Sequence, residues 1–229
     1  MLLRLFWVSA YTHTLMLNLS LRKDGHPMVN SRGNDIVTLT IFSYTYDLSF
    51  SLGDSAGGNL VSSITLKTIT HHIRIPDALF LSYAALLIQF YPSPSRLLCL
   101  LDPLLMSGIL IRCLNAYQDP DYLKTCPRSF DQELDQAKAV NDIFLSPLLA
   151  EKDLLKYFPR TQIIVSDLDP CLDENIQFSS NLSDAGVDVK IEVVPGLPHG
   201  FLAFSQLSTE CQLGVDQATR TLEKLVKAI

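Results

Sequence analysis

The stretch Gly53-Asp54-Ser55-Ala56-Gly57-Gly58-Asn59 constrains this chain more than any other. It follows Leu48-Ser49-Phe50-Ser51-Leu52, which alternates apolar and small polar residues as a half-buried strand does. After it, Leu60, Val61, Ile64, Leu66 and Ile69 recur at near-helical spacing. A G-x-S-x-G pattern therefore sits where a strand turns directly into a helix, with Ser55 at the apex. Glycine at 53 and 57 removes the β-carbons that so sharp a turn would bring together. Such a turn holds the serine backbone under strain and its Oγ exposed. It also aims the unpaired N–H groups of the helix start, that of Ala56 among them, at the space in front of the serine. Donors placed in this way suit a developing oxyanion. Ser55 is thus the candidate nucleophile and Ala56 the candidate oxyanion donor.

Composition narrows the setting. The 229 residues point to one domain, and 48% hydrophobic residues to a large core. A formal charge of −6 with no basic stripe excludes nucleic acid as a partner. The five cysteines (Cys99, Cys113, Cys126, Cys171, Cys211) are odd in number and never form C-x-x-C. That argues against zinc and against a disulfide framework, and fits a reducing compartment. Met1 to Leu19 is apolar-rich, but His13 interrupts it and no clear cleavage site follows. The chain is read as cytoplasmic, without a spanning helix.

Residues 1–47 carry no assignable motif and are set apart from a catalytic region, 48–229. Lys23-Asp24-Gly25-His26-Pro27 reads as a turn and Ile36 to Ile41 as a strand. Past the 60–73 helix, Ala78 to Ala84 is a near-continuous apolar run, as in a central parallel strand covered on both faces. Arg96 to Tyr117 reads as two helical pieces divided near Asp102-Pro103. These form either a wall over the site or plain core. Asp119 to Gln136 reads as surface loop and a short helix. Thr161 to Ser166 is a strand, 173–185 a helix with Gly186 as its C-cap, Val187 to Val194 a strand, and Leu207 to Ile229 a last helix. Alternating strands and helices imply a mostly parallel sheet with helices on both faces.

Acyl transfer by a serine needs a base within hydrogen-bond reach and a carboxylate to orient that base. His199 falls on the loop after the 187–194 strand, and Asp169 on the loop after the 161–166 strand. Together with Ser55 they occupy the carboxyl ends of strands, where open α/β sheets keep their sites. Asp167 and Asp173 compete with Asp169 for the role of acid. Pro170 holds Asp169 extended, whereas Asp173 looks like a helix N-cap. His71 and His72 look like a solvated last turn of the first helix.

The motifs Gly53-Asp54-Ser55-Ala56-Gly57-Gly58-Asn59, Ser146-Pro147-Leu148-Leu149-Ala150, Asp169-Pro170-Cys171-Leu172-Asp173-Glu174 and Leu197-Pro198-His199-Gly200-Phe201 occur in that order. Over residues 52–229 the chain resembles the hormone-sensitive lipase group of α/β-hydrolases. The resemblance implies an α/β-hydrolase fold with Ser55 as nucleophile, Asp169 as acid and His199 as base. It implies a cytosolic enzyme with no cofactor or metal, acting on a hydrophobic ester or lipid substrate, with a lipid-droplet or membrane surface as a possible place of work. The group carries an H-G-G-G oxyanion motif upstream of the serine, and several strands before it. Residues 1–47 resemble neither, so the fold is expected truncated at its N-terminal strands. Two other readings compete with a lipase: an inactive fragment that binds lipid or pairs with a full-length homologue, and a peptidase or amidase on the same fold.

Overall fold

A computed structural model describes residues 49–98, 105–118 and 141–229, together with the backbone of four strands between residues 2 and 42. Those strands are β1 (Leu2–Val8), β2 (Met16–Leu21), β3 (Pro27–Met28) and β4 (Thr38–Phe42). They join one another antiparallel, and β4 runs antiparallel to β5 (Ser49–Asp54). From β5 onward the pattern changes. β5, β6 (Ala78–Ser82), β7 (Arg160–Ser166) and β8 (Val189–Val194) are parallel, giving an eight-stranded order β3-β2-β1-β4-β5-β6-β7-β8. The strand expected at 36–41 is β4, which starts two residues later and ends one later.

The parallel half needs long connections, and the helices supply them. They are α1 (Ala56–Thr70), α2 (Pro94–Leu98), α3 (Ser107–Gln118), α4 (Lys152–Leu155), α5 (Leu172–Asp184) and α6 (Thr209–Lys227). The period-2 alternation of β6 splits the core in two. Leu79 and Leu81 face Val61 and Leu66 of α1 and Phe178 and Leu182 of α5. Ala78 and Phe80 belong to the other side, with Cys211, Ala218 and Leu225 of α6. All five β6 positions are buried, as its unbroken apolar run predicts for a central strand. At the sheet edge, β8 is only partly buried, which explains its alternating sequence.

The two helical pieces expected over 96–117 are α2 and α3. Leu110 and Leu114 of α3 form a separate small cluster with Ile88. The turn read over 23–27 lies outside the described residues but for Pro27, which opens β3, and the divide near Asp102-Pro103, the loop and short helix over 119–136, and Cys99 and Cys126 lie outside them entirely. Cys113, Cys171 and Cys211 are free thiols. The α5 C-cap is Ala185, one place before the expected Gly186, which follows it at φ 84°.

Candidate active site

Ser55 lies between the last residue of β5 and the first of α1, with φ 51° and ψ −121°. A non-glycine residue in this region costs about 1–3 kcal/mol and persists only where its surroundings over-determine it. Here they do. The Ser55 N–H donates to Ser82 O at 2.9 Å, and the Ala85 N–H donates to Ser55 O at 3.1 Å. The end of β6 therefore braces the turn from both sides of the serine. A β-carbon on Gly53 would lie 2.4 Å from the Gly57 carbonyl oxygen, which no side chain can tolerate. One on Gly58 would lie 2.4 Å from Cβ of Ala84. The second constraint, packing of α1 against the segment after β6, was not foreseen from the sequence. Ala56 opens α1, so its N–H has no carbonyl one turn back within the helix.

Three side chains from three strand ends meet in a row. Ser55 Oγ is 2.8 Å from His199 Nε2. His199 Nδ1 lies 3.0 and 2.9 Å from the two carboxylate oxygens of Asp169. A carboxylate only accepts, so Nδ1 carries the proton and Nε2 is left to accept from the Ser55 hydroxyl. Asp169 is fully buried and the His199 side chain is 11% exposed. Oxygen, sulfur and nitrogen atoms of Asp169, Cys171 and His199 lie within 4.8 Å of one another, a spacing that could hold a metal ion. The Asp169 oxygens and Nδ1 are already engaged with each other, and burial and the Glu174 carboxyl push the Cys171 thiol well above its ordinary value. The donor set therefore serves hydrogen bonding rather than ligation.

The sequence profile of the family described as "alpha/beta hydrolase fold" matches residues 42–203. The chain belongs to this family. Hormone-sensitive lipase of Homo sapiens is 46% identical over 65 residues, which cover 28% of this chain and 6% of that protein. Neutral cholesterol ester hydrolase 1 of Rattus norvegicus is 31% identical over 74 residues, 32% of this chain and 18% of that one. The matches thus span only a small part of these relatives' length. Among solved structures, carboxyl esterase 2 of Tuber melanosporum superposes with a TM-score of 0.61 at 24% identity, over 76% of this chain and 53% of that one.

Around the row of three, this α/β-hydrolase sorts its competing acids by partner. Asp167 Oδ1 accepts from the Gly196 N–H at 2.6 Å and so ties the β7 loop to the histidine loop. Asp173 sits inside the first turn of α5, whose N-cap is Cys171, and does not cap it. Its Oδ2 instead accepts from the Ser95 N–H at 2.8 Å, while Ser95 Oγ accepts from the Asp173 N–H at 3.2 Å. The N-cap falls two residues earlier than expected because Pro170-Cys171 form a tight turn, closed by the Leu172 N–H donating to Asp169 O at 3.0 Å. His71, the C-cap of α1, and His72 are exposed, as expected of a solvated last turn.

Two buried polar residues complete the site's surroundings, and neither has a role assigned from the sequence, although Asn59 closes the Gly53–Asn59 motif. Asn59, 1% exposed, donates through Nδ2 to Ala85 O and Leu145 O, and accepts at Oδ1 from Ser63 Oγ and Tyr117 Oη. It thereby joins α1, α3 and the segment before Ser146. Arg96 is 5% exposed and pairs with buried Glu174 at 2.8 Å. Its guanidinium also donates to Gln89 O and Leu87 O. Ser95 Oγ donates to Pro170 O at 3.0 Å, so the α2 turn is fastened directly to the loop that carries Asp169. The four partners of Asn59 leave no sequence signature, because they come from 4 to 86 residues away.

Proposed function

We propose that the chain is a serine ester hydrolase of lipase type, with residues 48–229 as its catalytic domain. The observation that carries the reading is the 2.8 Å contact of Ser55 Oγ with His199 Nε2, with Asp169 on the far side of the ring. His199 takes the proton of Ser55 as Oγ attacks the ester carbonyl. Asp169 holds the ring in the tautomer this needs and stabilises the imidazolium that forms. The carbonyl oxygen becomes an oxyanion facing the Ala56 N–H at the start of α1. Collapse returns the proton from His199 to the leaving alkoxide, and the acyl group stays on Ser55. Water then repeats the cycle, with His199 again as base, and frees the acid. No step calls for a cofactor or metal.

The names of the relatives, a lipase and a cholesterol ester hydrolase, support hydrophobic esters as substrates; on this reading acylglycerols and cholesteryl esters are among them, met in the cytoplasm or at a lipid surface. The apolar cluster of Ile88, Leu110 and Leu114, linked to α1 through Tyr117 and Asn59, suits an acyl chain better than a peptide. A second reading, an inactive homologue that binds lipid, is favoured by one feature: no H-G-G-G precedes Ser55. Losing one oxyanion donor typically costs about 10²–10³ in rate. Fluorophosphonate labelling of the wild type beside Ser55→Ala, with turnover on p-nitrophenyl esters and anilides, separates the readings. Ester turnover and labelling, both lost in Ser55→Ala, are expected. A folded wild type that neither labels nor turns over would overturn the hydrolase.

A further inference from the structure

We propose that Tyr83, wedged between His199 and Phe201, is a positioning residue that sets the tilt of the His199 ring, and that Gly214 is the notch in α6 on which this aromatic stack is seated. The inference rests on the reading of His199 as the base. Two hydrogen bonds fix how far His199 lies from Ser55 and Asp169, but neither alone fixes the rotation of a ring on an irregular loop. Packing must do that.

Tyr83 is placed to do it. It follows Ser82, the residue whose carbonyl holds the Ser55 N–H, so it is tied to the serine turn through the backbone. It is 1% exposed and has φ 38°, a conformation that a bulky residue keeps only when its surroundings demand it. Its own N–H donates to Ile164 O at 2.7 Å, which locks it across the ends of β6 and β7. The ring then meets His199 edge-to-face at 5.0 Å and 63°, and Phe201 at 5.2 Å and 66°. Edge-to-face pairs prefer a defined mutual angle, so the stack transmits orientation as well as bulk. The hydroxyl lies 3.5 Å from Asp54 Oδ2, beside the serine. Burial first, then the Asp54 and Asp169 carboxyls, raises the phenol well above its ordinary value, so it stays a donor.

The base of the stack is on α6. A β-carbon on Gly214 would lie 2.6 Å from Leu197 Cδ1 and 3.0 Å from two Phe201 ring atoms. Leu197 and Phe201 flank His199 in sequence, and both are buried. The notch therefore receives the histidine loop on either side of the base. Phe201 on Gly214, Tyr83 on Phe201 and His199 on Tyr83 form one continuous column from helix to base.

The test uses the full chain as wild type, Tyr83→Phe, Tyr83→Leu and Gly214→Ala, with Phe201→Leu in reserve should Tyr83→Leu not fold. Three measurements are made: thermal unfolding, steady-state kinetics (kcat and KM) on p-nitrophenyl butyrate, and the far-downfield NMR signal of the His199 Nδ1 proton. Tyr83→Phe keeps the ring and should keep both the signal and kcat. Tyr83→Leu and Gly214→Ala should fold yet broaden or lose the signal, with kcat falling on the order of 10²-fold, as for a misplacement near 1 Å. KM should change little, because the ring does not bind the ester. A folded Tyr83→Leu with wild-type signal and kcat overturns the proposal. An inactive wild type whose signal is nonetheless lost in Tyr83→Leu supports it while refuting the esterase. Absence of both signal and turnover in the wild type overturns both.

Discussion

Replacing Arg96 by Leu should be among the most damaging single changes in the described structure, and its damage should depend on pH. Arg96 and Glu174 are each 4% exposed at the side chain and 2.8 Å apart. Burial already holds the Glu174 carboxyl above its ordinary value, with Arg96 pulling against it. Removing the guanidinium leaves an uncompensated buried charge, which costs about 3–5 kcal/mol. It also strands the Leu87 and Gln89 carbonyls, at about 1–3 kcal/mol each where water cannot reach them. Such contributions overlap, so a loss of about 4–6 kcal/mol is a reasonable sum, against a typical total stability of about 5–15 kcal/mol. The folded chain holds the Glu174 proton more tightly than the unfolded chain does. Stability therefore falls as pH rises from about 4.3, the unfolded value, to the raised folded one, by up to about 1.4 kcal/mol per pH unit. The variant, in which Glu174 rises further, should be least harmed near pH 4 and most harmed above neutrality. Urea unfolding between pH 4 and 8 measures this directly. Arg96→Leu combined with Glu174→Leu should recover much of the loss, since the unpaired charge is gone. A variant within about 1 kcal/mol of wild type at pH 7, well below the size expected for a broken buried pair, would refute the reasoning. So would a loss that does not vary with pH.

Two further perturbations probe the serine turn. Asn59→Asp replaces the Nδ2 donor with an oxygen facing the Ala85 and Leu145 carbonyls, so it should lower stability by about 2–4 kcal/mol in urea titrations. Stability equal to wild type would mean that the amide network is not made. Gly58→Ala should destabilise through the 2.4 Å approach to Ala84 Cβ, and Ala84→Gly in the same chain should relieve part of that loss. Additive losses in the thermal melts of the double variant would contradict that contact.

The elements that depend on local pattern were legible before any fold was known. The strand-turn-helix around Ser55, the buried strand over 78–82 and the α5 helix with its glycine close are all written in short-range periodicity and backbone preference. So was the order of Ser55, Asp169 and His199 along the chain, which follows from strands that deliver their loops to one edge of a parallel sheet. Pro170 and the family resemblance favoured Asp169 as the acid, but what each of the three acids faces came from the tertiary structure. Asp167, Asp169 and Asp173 are chemically alike and lie within seven residues, and the partners brought in from Gly196, His199 and Ser95 tell them apart. It alone decided that the sheet before β5 is antiparallel, because hairpin or crossover depends on which strand edges meet. It alone revealed Asn59, Arg96 and the Gly214–Phe201–Tyr83–His199 column. Their contacts join segments tens to more than a hundred residues apart, and periodicity carries no information over that distance.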